Sequence, residues 1–248
     1  MLVANYDWSL VWQNRGLLAN ALLVALECAA IALVIAVGVG LALALARMGR
    51  APLSWIATVY INVFRGVPAL VSVIWVYFGW SLLFGINFSV LQAGVLALVL
   101  LYSAFLAEIF RSALQAIPRG QREAGLALGM HPLRVFGQVV LPQAARIALP
   151  NIGSMFIGMV KDTSTFSVIG MLELTYTVQN IESTTFQPFV LYTALAAIYV
   201  IAAFVIDFVF RAVEKSLTTP PKGRLSGALT ARRRHRLEAL VERLEAPA

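Results

Sequence analysis

Histidine and cysteine are nearly missing from this 248-residue chain, with two of the first and one of the second, and charged side chains make up only 12% of it. The single Cys28 excludes a disulfide framework, and its place inside an apolar run makes it a small packing residue. His131 and His235 have no ligand spacing. No HExxH helix and no GxSxG elbow occurs, and no histidine stands near a nucleophile in an apolar run, which argues against an intramembrane enzyme. A Gly-rich phosphate loop is lacking too, so the chain is not expected to hydrolyse ATP itself.

What fills the chain instead is apolar material, 60% of residues with a mean hydropathy of +0.83. Soluble domains carry about 25% charged and about 45–50% apolar residues. Runs of about 20 apolar residues are long enough to cross a bilayer. They place spans near residues 17–46, 53–84, 90–109, 147–168 and 189–210. The first exceeds what a bilayer needs, so it tilts or protrudes. The second is interrupted by Phe64-Arg65-Gly66-Val67-Pro68, which leaves 53–64 as a leading segment and 67–84 as the span proper. Five spans predict an all-α membrane protein with its ends on opposite sides.

Charge placement predicts the orientation. Arg47, Arg50, Arg111, Arg119, Arg122, Arg134, Arg146, Arg211 and Lys215 fall on one side, and Arg15 is the only short-loop base on the other. Basic loops stay inside, so the N-terminus is expected outside and the C-terminus in the cytoplasm. Trp8 and Trp12 suit an interfacial anchor, and the first fifteen residues lack the basic region and cleavage site of a removable signal peptide. Between the last two spans, Met171 to Gln187 holds Glu173 and Glu182 without a base, as either a docking surface for a soluble protein or a connecting amphipathic helix. The tail, 216–248, contains Arg232-Arg233-Arg234-His235-Arg236, then Leu237, Leu240, Val241 and Leu244 at helical spacing. It either holds anionic lipid head groups or is solvated. The net charge of +7 does not point to nucleic acid, because aromatic interleaving and binding motifs are absent.

One long polar interval breaks the apolar pattern, from Pro118 to Pro142. Pro118 restricts Ile117 and closes the preceding helix. Gln121 to Leu128 are good helix formers. Glu123 is placed in the first turn, where a carboxylate suits the positive helix end. Gly129 supplies a left-handed cap and Pro132 prevents continuation. The prediction is a short helix clamped between prolines, with Ala124 and Gly125 allowing close backbone approach.

The spacing of Glu123, Ala124, Gly125, Gly129, Val139, Leu141 and Pro142 resembles the EAA loop of ATP-binding-cassette importer permeases. The family pattern has Ala where Gly125 stands and usually Ile where Val139 stands. Phe64-Arg65-Gly66-Val67-Pro68, Ala107-Glu108-Ile109-Phe110-Arg111, Lys161-Asp162-Thr163-Ser164 and Thr185-Phe186-Gln187-Pro188-Phe189 resemble the polar amino-acid uptake branch. The likeness covers roughly 14–215. It implies a five-helix type I ABC importer permease fold in the bacterial cytoplasmic membrane, moving a polar amino acid by alternating access. It also implies a second permease copy or paralogue, two cytoplasmic ATPases that carry the ATP and Mg, and an extracytoplasmic amino-acid-binding protein. On that likeness Arg122, Glu123, Ala124, Gly125, Gly129, Leu141 and Pro142 couple to the ATPase, and no cofactor is expected in this chain.

Charges within the spans mark the candidate pathway, since each costs about 2.5–3.5 kcal/mol at a helix centre. Lys161 and Asp162 lie in the fourth span and Glu27 in the first. Asp162 or Glu27 suits a substrate ammonium, and the hydroxyls of Thr163 and Ser164, or backbone donors, suit its carboxylate. A buried ion pair or a subunit-contact network explains Asp162, Lys161 and Glu27 as well, and both readings stand open. Glu108 with Arg111 and Asp207 with Arg211 have the spacing of structural pairs within a helix. An ATP-independent carrier is the competing function, but the inverted repeats common in such carriers do not fit five spans. A non-substrate-binding half of a mixed permease pair is the other.

Overall fold

The computed structural model describes residues 6–218, which are helical with no strand among them. Residues up to Arg211 form one compact unit, and 212 onward a second, of which only the last turns of a helix are described. The basic cluster and amphipathic stretch of the tail lie outside the described residues.

A short α1 (Ser9–Gln13) leads into α2 (Arg15–Met48), then α3 (Leu53–Gly66) and α4 (Ala69–Ile74). A single π turn, Trp75–Gly79, joins α4 to α5 (Trp80–Phe84). After Gly85 in the left-handed region, at φ 67°, Ser89 opens α6 (Val90–Gln115) with a reciprocal capping box to Gln92. The polar interval forms α7 (Arg119–Ala127) and α8 (Pro132–Val135) and, through a π turn at Phe136–Val140, enters α9 (Leu141–Asp162). A 3-10 segment, Thr163–Ile169, precedes α10 (Leu174–Thr185) and α11 (Pro188–Thr218).

α6 is the axis of the bundle. Two-thirds of its apolar window is buried, against a third or less for α2 and α11. α2 lies along it, and the face of α2 that does so is built from small residues at helical spacing: Ala25, Cys28, Ala29, Ala32, Ala36, Gly40 and Ala44. A Cβ added to Gly40 would stand 2.9 Å from Leu106 Cβ and 3.0 Å from the Ser103 carbonyl oxygen, so the two backbones nearly touch there. Small residues provide this approach where lipid supplies no hydrophobic drive between helices. α9 packs on both α6 and α2. A smaller second core joins Leu18 and Ala21 of α2 to Leu174 and Val178 of α10 and Leu191 and Leu195 of α11.

Arg15–Met48, Val90–Gln115 and Pro188–Ser216 are long and apolar enough to cross a membrane. The region expected as one interrupted span at 53–84 is a broken pair, Leu53–Gly66 and Ala69–Phe84, bent by 110°, and it makes a fourth only if counted as one. Pro68 causes the break, holding Val67 extended at ψ 130° and offering no N–H to the previous turn. α6 runs six residues past the expected 109, because nothing stops a helix before Ile117 and Pro118. The expected 147–168 is instead α9 plus the 3-10 segment. α9 tolerates Pro142 in its first turn and Pro150 in its interior, and its Arg146, Lys161 and Asp162 keep it below the hydropathy of the other spans. The acidic segment after it forms the helix α10.

The crowding at Gly40 is testable. Gly40→Ala should destabilise the chain by about 1–3 kcal/mol through overpacking. Gly38→Ala, with nothing within 4 Å of its added carbon, should not. Thermal unfolding of the purified variants in detergent compares the two.

Candidate functional site

α7 starts directly after Pro118, whose ψ of 135° turns the chain before the first helical residue. Its onset is two residues earlier than the expected Gln121, so Glu123 lies in the second turn and the first turn holds Arg119 and no acid. The favourable end-charge expected for Glu123 is therefore not made. The helix stops as expected. Gly129 takes φ 76°, Gly129 N–H bonds to the Leu126 carbonyl at 2.9 Å, and Met130 N–H bonds to the Gly125 carbonyl at 3.2 Å, which together form a Schellman motif. His131 is exposed but partnered: its Nδ1 accepts from Leu133 N–H at 3.4 Å at the start of α8.

Arg122, Glu123 and Ala124 all face outward, and Gly125 is the one buried residue of α7. A Cβ there would lie 2.9 Å from Val135 Cγ2 and 3.1 Å from Val135 Cγ1. The glycine is thus matched to a β-branched neighbour on α8. Leu141 is half-buried and Pro142 exposed at the start of α9, where Gln143 reaches back to the Val139 carbonyl at 2.7 Å. Between α7, α8 and the ends of α2 and α6 lies a cavity of about 530 Å³, floored by Leu45, Leu114, Ile117 and Phe136 and edged by Arg119 and Arg122. Beside it Glu108 bonds Arg111 at 2.8 Å, as its spacing predicted, and also pairs with Arg47 of α2. Asp207 and Arg211 form their expected pair at 2.7 Å.

The second polar cluster lies at the other end of α9. Asp162, half-buried at the last helical position, accepts a hydrogen bond at Oδ2 from the Tyr102 hydroxyl of α6 at 2.9 Å. Among the described residues it forms no ion pair, and neither do Lys161 or Glu27, both of which are exposed on the single chain. Thr163 is fully enclosed, and its hydroxyl donates to the Val160 carbonyl at 2.7 Å. Thr163 is also the first residue of the 3-10 segment. Ser164 stays half-buried.

Glu173 is completely enclosed and caps α10, accepting from Thr175 N–H at 2.9 Å, Tyr176 N–H at 2.8 Å and the Tyr199 hydroxyl at 3.2 Å. Burial pushes its carboxyl above the usual carboxylate range, and these donors pull it part of the way back.

Residues 21–219 match the family described as binding-protein-dependent transport system inner membrane component. The chain belongs to that family. It is a membrane permease subunit of an importer and not an enzyme; in such importers ATP hydrolysis belongs to a partner subunit. The permease is 35% identical over 214 residues to the glutamine transport system permease protein GlnP of Escherichia coli, covering 86% of this chain and 98% of that one. It is 32% identical over 190 residues to the arginine ABC transporter permease protein ArtQ of the same organism, covering 67% and 80%. A crystal structure of an amino acid ABC transporter with histidines superposes at a TM-score of 0.77 and 35% identity over 85% of this chain and 98% of that chain. Inward-facing MetNI methionine ABC transporter shares the fold at a TM-score of 0.68 and 22% identity, over 84% and 98%.

The permease holds four functional-site contacts that residue spacing did not reveal: Tyr102 to Asp162, Tyr199 to Glu173, Glu173 as a cap, and Arg47 as the third member of the Glu108 cluster. A hydroxyl or guanidinium inside an apolar helix needs a polar partner, and that was the available signal for Tyr102 and Arg47. Asp162 lies 60 residues from Tyr102 and Glu108 lies 61 from Arg47, beyond any local spacing rule.

The match between Gly125 and Val135 predicts that Gly125→Ala loosens α7 from α8, and that Val135→Ala in the same chain restores the contact. Trypsin cleavage at Arg119 and Arg122 in the purified permease should be faster in the single variant and return towards wild type in the double.

Proposed function

We propose that this permease moves a polar amino acid into the cell by alternating access, as half of a two-permease core driven by two cytoplasmic ATPases and fed by an extracytoplasmic amino-acid-binding protein. The names of its relatives support the amino-acid class, since they transport glutamine, arginine or, in the Bacillus subtilis permease TcyB, L-cystine. The observation that carries the coupling role is the geometry of α7, a proline-bounded helix that presents Arg122, Glu123 and Ala124 outward while Gly125 fixes it to α8.

In this reading α9 is a fifth span. Its 22 residues, at about 1.5 Å each, reach about 33 Å, enough for a hydrocarbon core of about 30 Å. The N-terminus is outside, and the basic loops and α7 face the cytoplasm, where ATP is available. α8, the π turn and α9 form one helical run from the foot of α7 to Asp162, so force applied at α7 reaches the polar cluster through packed helix. Asp162 takes the substrate ammonium and Ser164 the carboxylate. Lys161 and Glu27, exposed on one chain, face the aqueous pathway or the other permease subunit, the two surroundings in which an intramembrane charge is tolerated. Leu141 and Pro142 set the start of the transmitting helix, and Gly129 ends α7.

Two substitutions test the two halves of this reading in vesicles containing the assembled transporter. Glu123→Ala should leave membrane insertion intact and cut substrate-stimulated ATP hydrolysis by roughly tenfold, the effect of losing about 1.4 kcal/mol of coupling contact. Normal stimulation would remove Glu123 from the coupling surface. Asp162→Asn should leave assembly intact and lower uptake efficiency by roughly ten- to a hundredfold, as expected for a charged hydrogen bond worth about 1.5–3 kcal/mol. Collapse of the complex in that variant would instead assign Asp162 to structure.

A further inference from the structure

Asp162 is held by one oxygen only. The Tyr102 hydroxyl donates to Oδ2 at 2.9 Å, while Oδ1 accepts no hydrogen bond among the described residues and is not an enclosed, unpartnered atom. Tyr102 comes from the central helix α6 and is itself 6% exposed, so its ring is locked by the core and its hydroxyl is the only polar atom it presents. The space it occupies is made by Gly158, one helical turn before Asp162. A Cβ on Gly158 would lie 2.7 Å from the Tyr102 hydroxyl oxygen but 3.4 Å and 3.5 Å from its nearest ring carbons. The glycine therefore accommodates the hydroxyl and not the ring.

We propose that Tyr102 and Gly158 form a positioning pair for Asp162, fixing the carboxylate so that Oδ1 alone is presented to a substrate ammonium. The inference rests on the reading of Asp162 as the ammonium acceptor and deepens it. A carboxylate on a flexible side chain must lose rotational freedom when it binds a cation, and a hydrogen bond already made to one oxygen takes up that loss in advance. Tyr102 is a donor through its hydroxyl and leaves the second oxygen's lone pairs unengaged. It acts through Asp162 and is a positioning residue. The cost of removing it should appear in the substrate concentration needed, and not in the turnover of the saturated transporter.

The test uses the assembled transporter in vesicles, with its binding protein, and whichever proteinogenic amino acid it takes up best. Tyr102→Phe should raise the half-saturating concentration about three- to tenfold, as expected when the rotational freedom of one side chain is lost only on binding, and leave the maximal rate within a factor of about two. Combined with Asp162→Asn it should add nothing, since the two act as one unit. Gly158→Ala should mimic Tyr102→Phe by displacing the hydroxyl, and Gly158→Ala with Tyr102→Phe should match Tyr102→Phe alone, because the ring carbons leave room for the added methyl. An unchanged half-saturation in Tyr102→Phe while Asp162→Asn is impaired would overturn the positioning pair and leave the Asp162 reading standing. A fall in maximal rate alone, or losses that multiply in the Tyr102 and Asp162 double variant, would overturn it also. Wild-type uptake by Asp162→Asn would overturn the ammonium-acceptor reading itself.

Discussion

The close approach of α2 to α6 sets everything else in this permease. In lipid an apolar surface gains nothing by moving from hydrocarbon to protein, so helices hold together through dispersion contacts that require backbones to come near. The alanine and glycine stripe of α2 meets this requirement, with Gly40 against Leu106 and Ser103 as its tightest point. Once α2 is seated, α6 is covered on one side, and α9 has a ready-made surface formed by both. The Arg47–Glu108–Arg111 cluster ties the same two helices at the end nearest α7.

Polar groups are placed where that packing can satisfy them. Tyr60 bonds Ser103 at 2.9 Å and the Leu100 carbonyl at 3.1 Å, Tyr102 bonds Asp162, and Tyr199 bonds Glu173 and Thr175, so the hydroxyl of each of these three buried or half-buried tyrosines is partnered on another element. Lys161 and Glu27 are charges that the single chain leaves exposed, and the buried Ser72 hydroxyl and Trp80 N–H have no hydrogen-bond partner among the described residues. In a helix as apolar as α2 such a charge needs water or another protein surface beside it.

The π turns at 75–79 and 136–140, the 3-10 segment at 163–169 and the break at 66–68 all interrupt regular helix near polar or crowded sites. The π turn at 136–140 leads into α9, whose last residue Asp162 meets Tyr102, and the 3-10 segment begins at Thr163, which bonds back to the Val160 carbonyl. Departures from the 3.6-residue period of this kind often accompany functional sites. They also account for the differences between the expected and observed boundaries of the second and fourth apolar regions.

Local chemistry made much of the permease legible in its sequence. Apolar runs marked the long helices, Pro118, Gly129 and Pro132 marked the limits of α7, Pro68 marked the break, and helical spacing paired Glu108 with Arg111 and Asp207 with Arg211. These signals act within a few residues, through steric restriction or a single helical turn, so the sequence alone determined them. The 110° bend, the fit of Gly125 to Val135, the third member Arg47, the cap at Glu173 and the bond from Tyr102 to Asp162 were decided by tertiary structure. Each depends on how far apart two elements lie and at what angle they meet. Packing sets those quantities, and residue spacing along one helix carries no record of them.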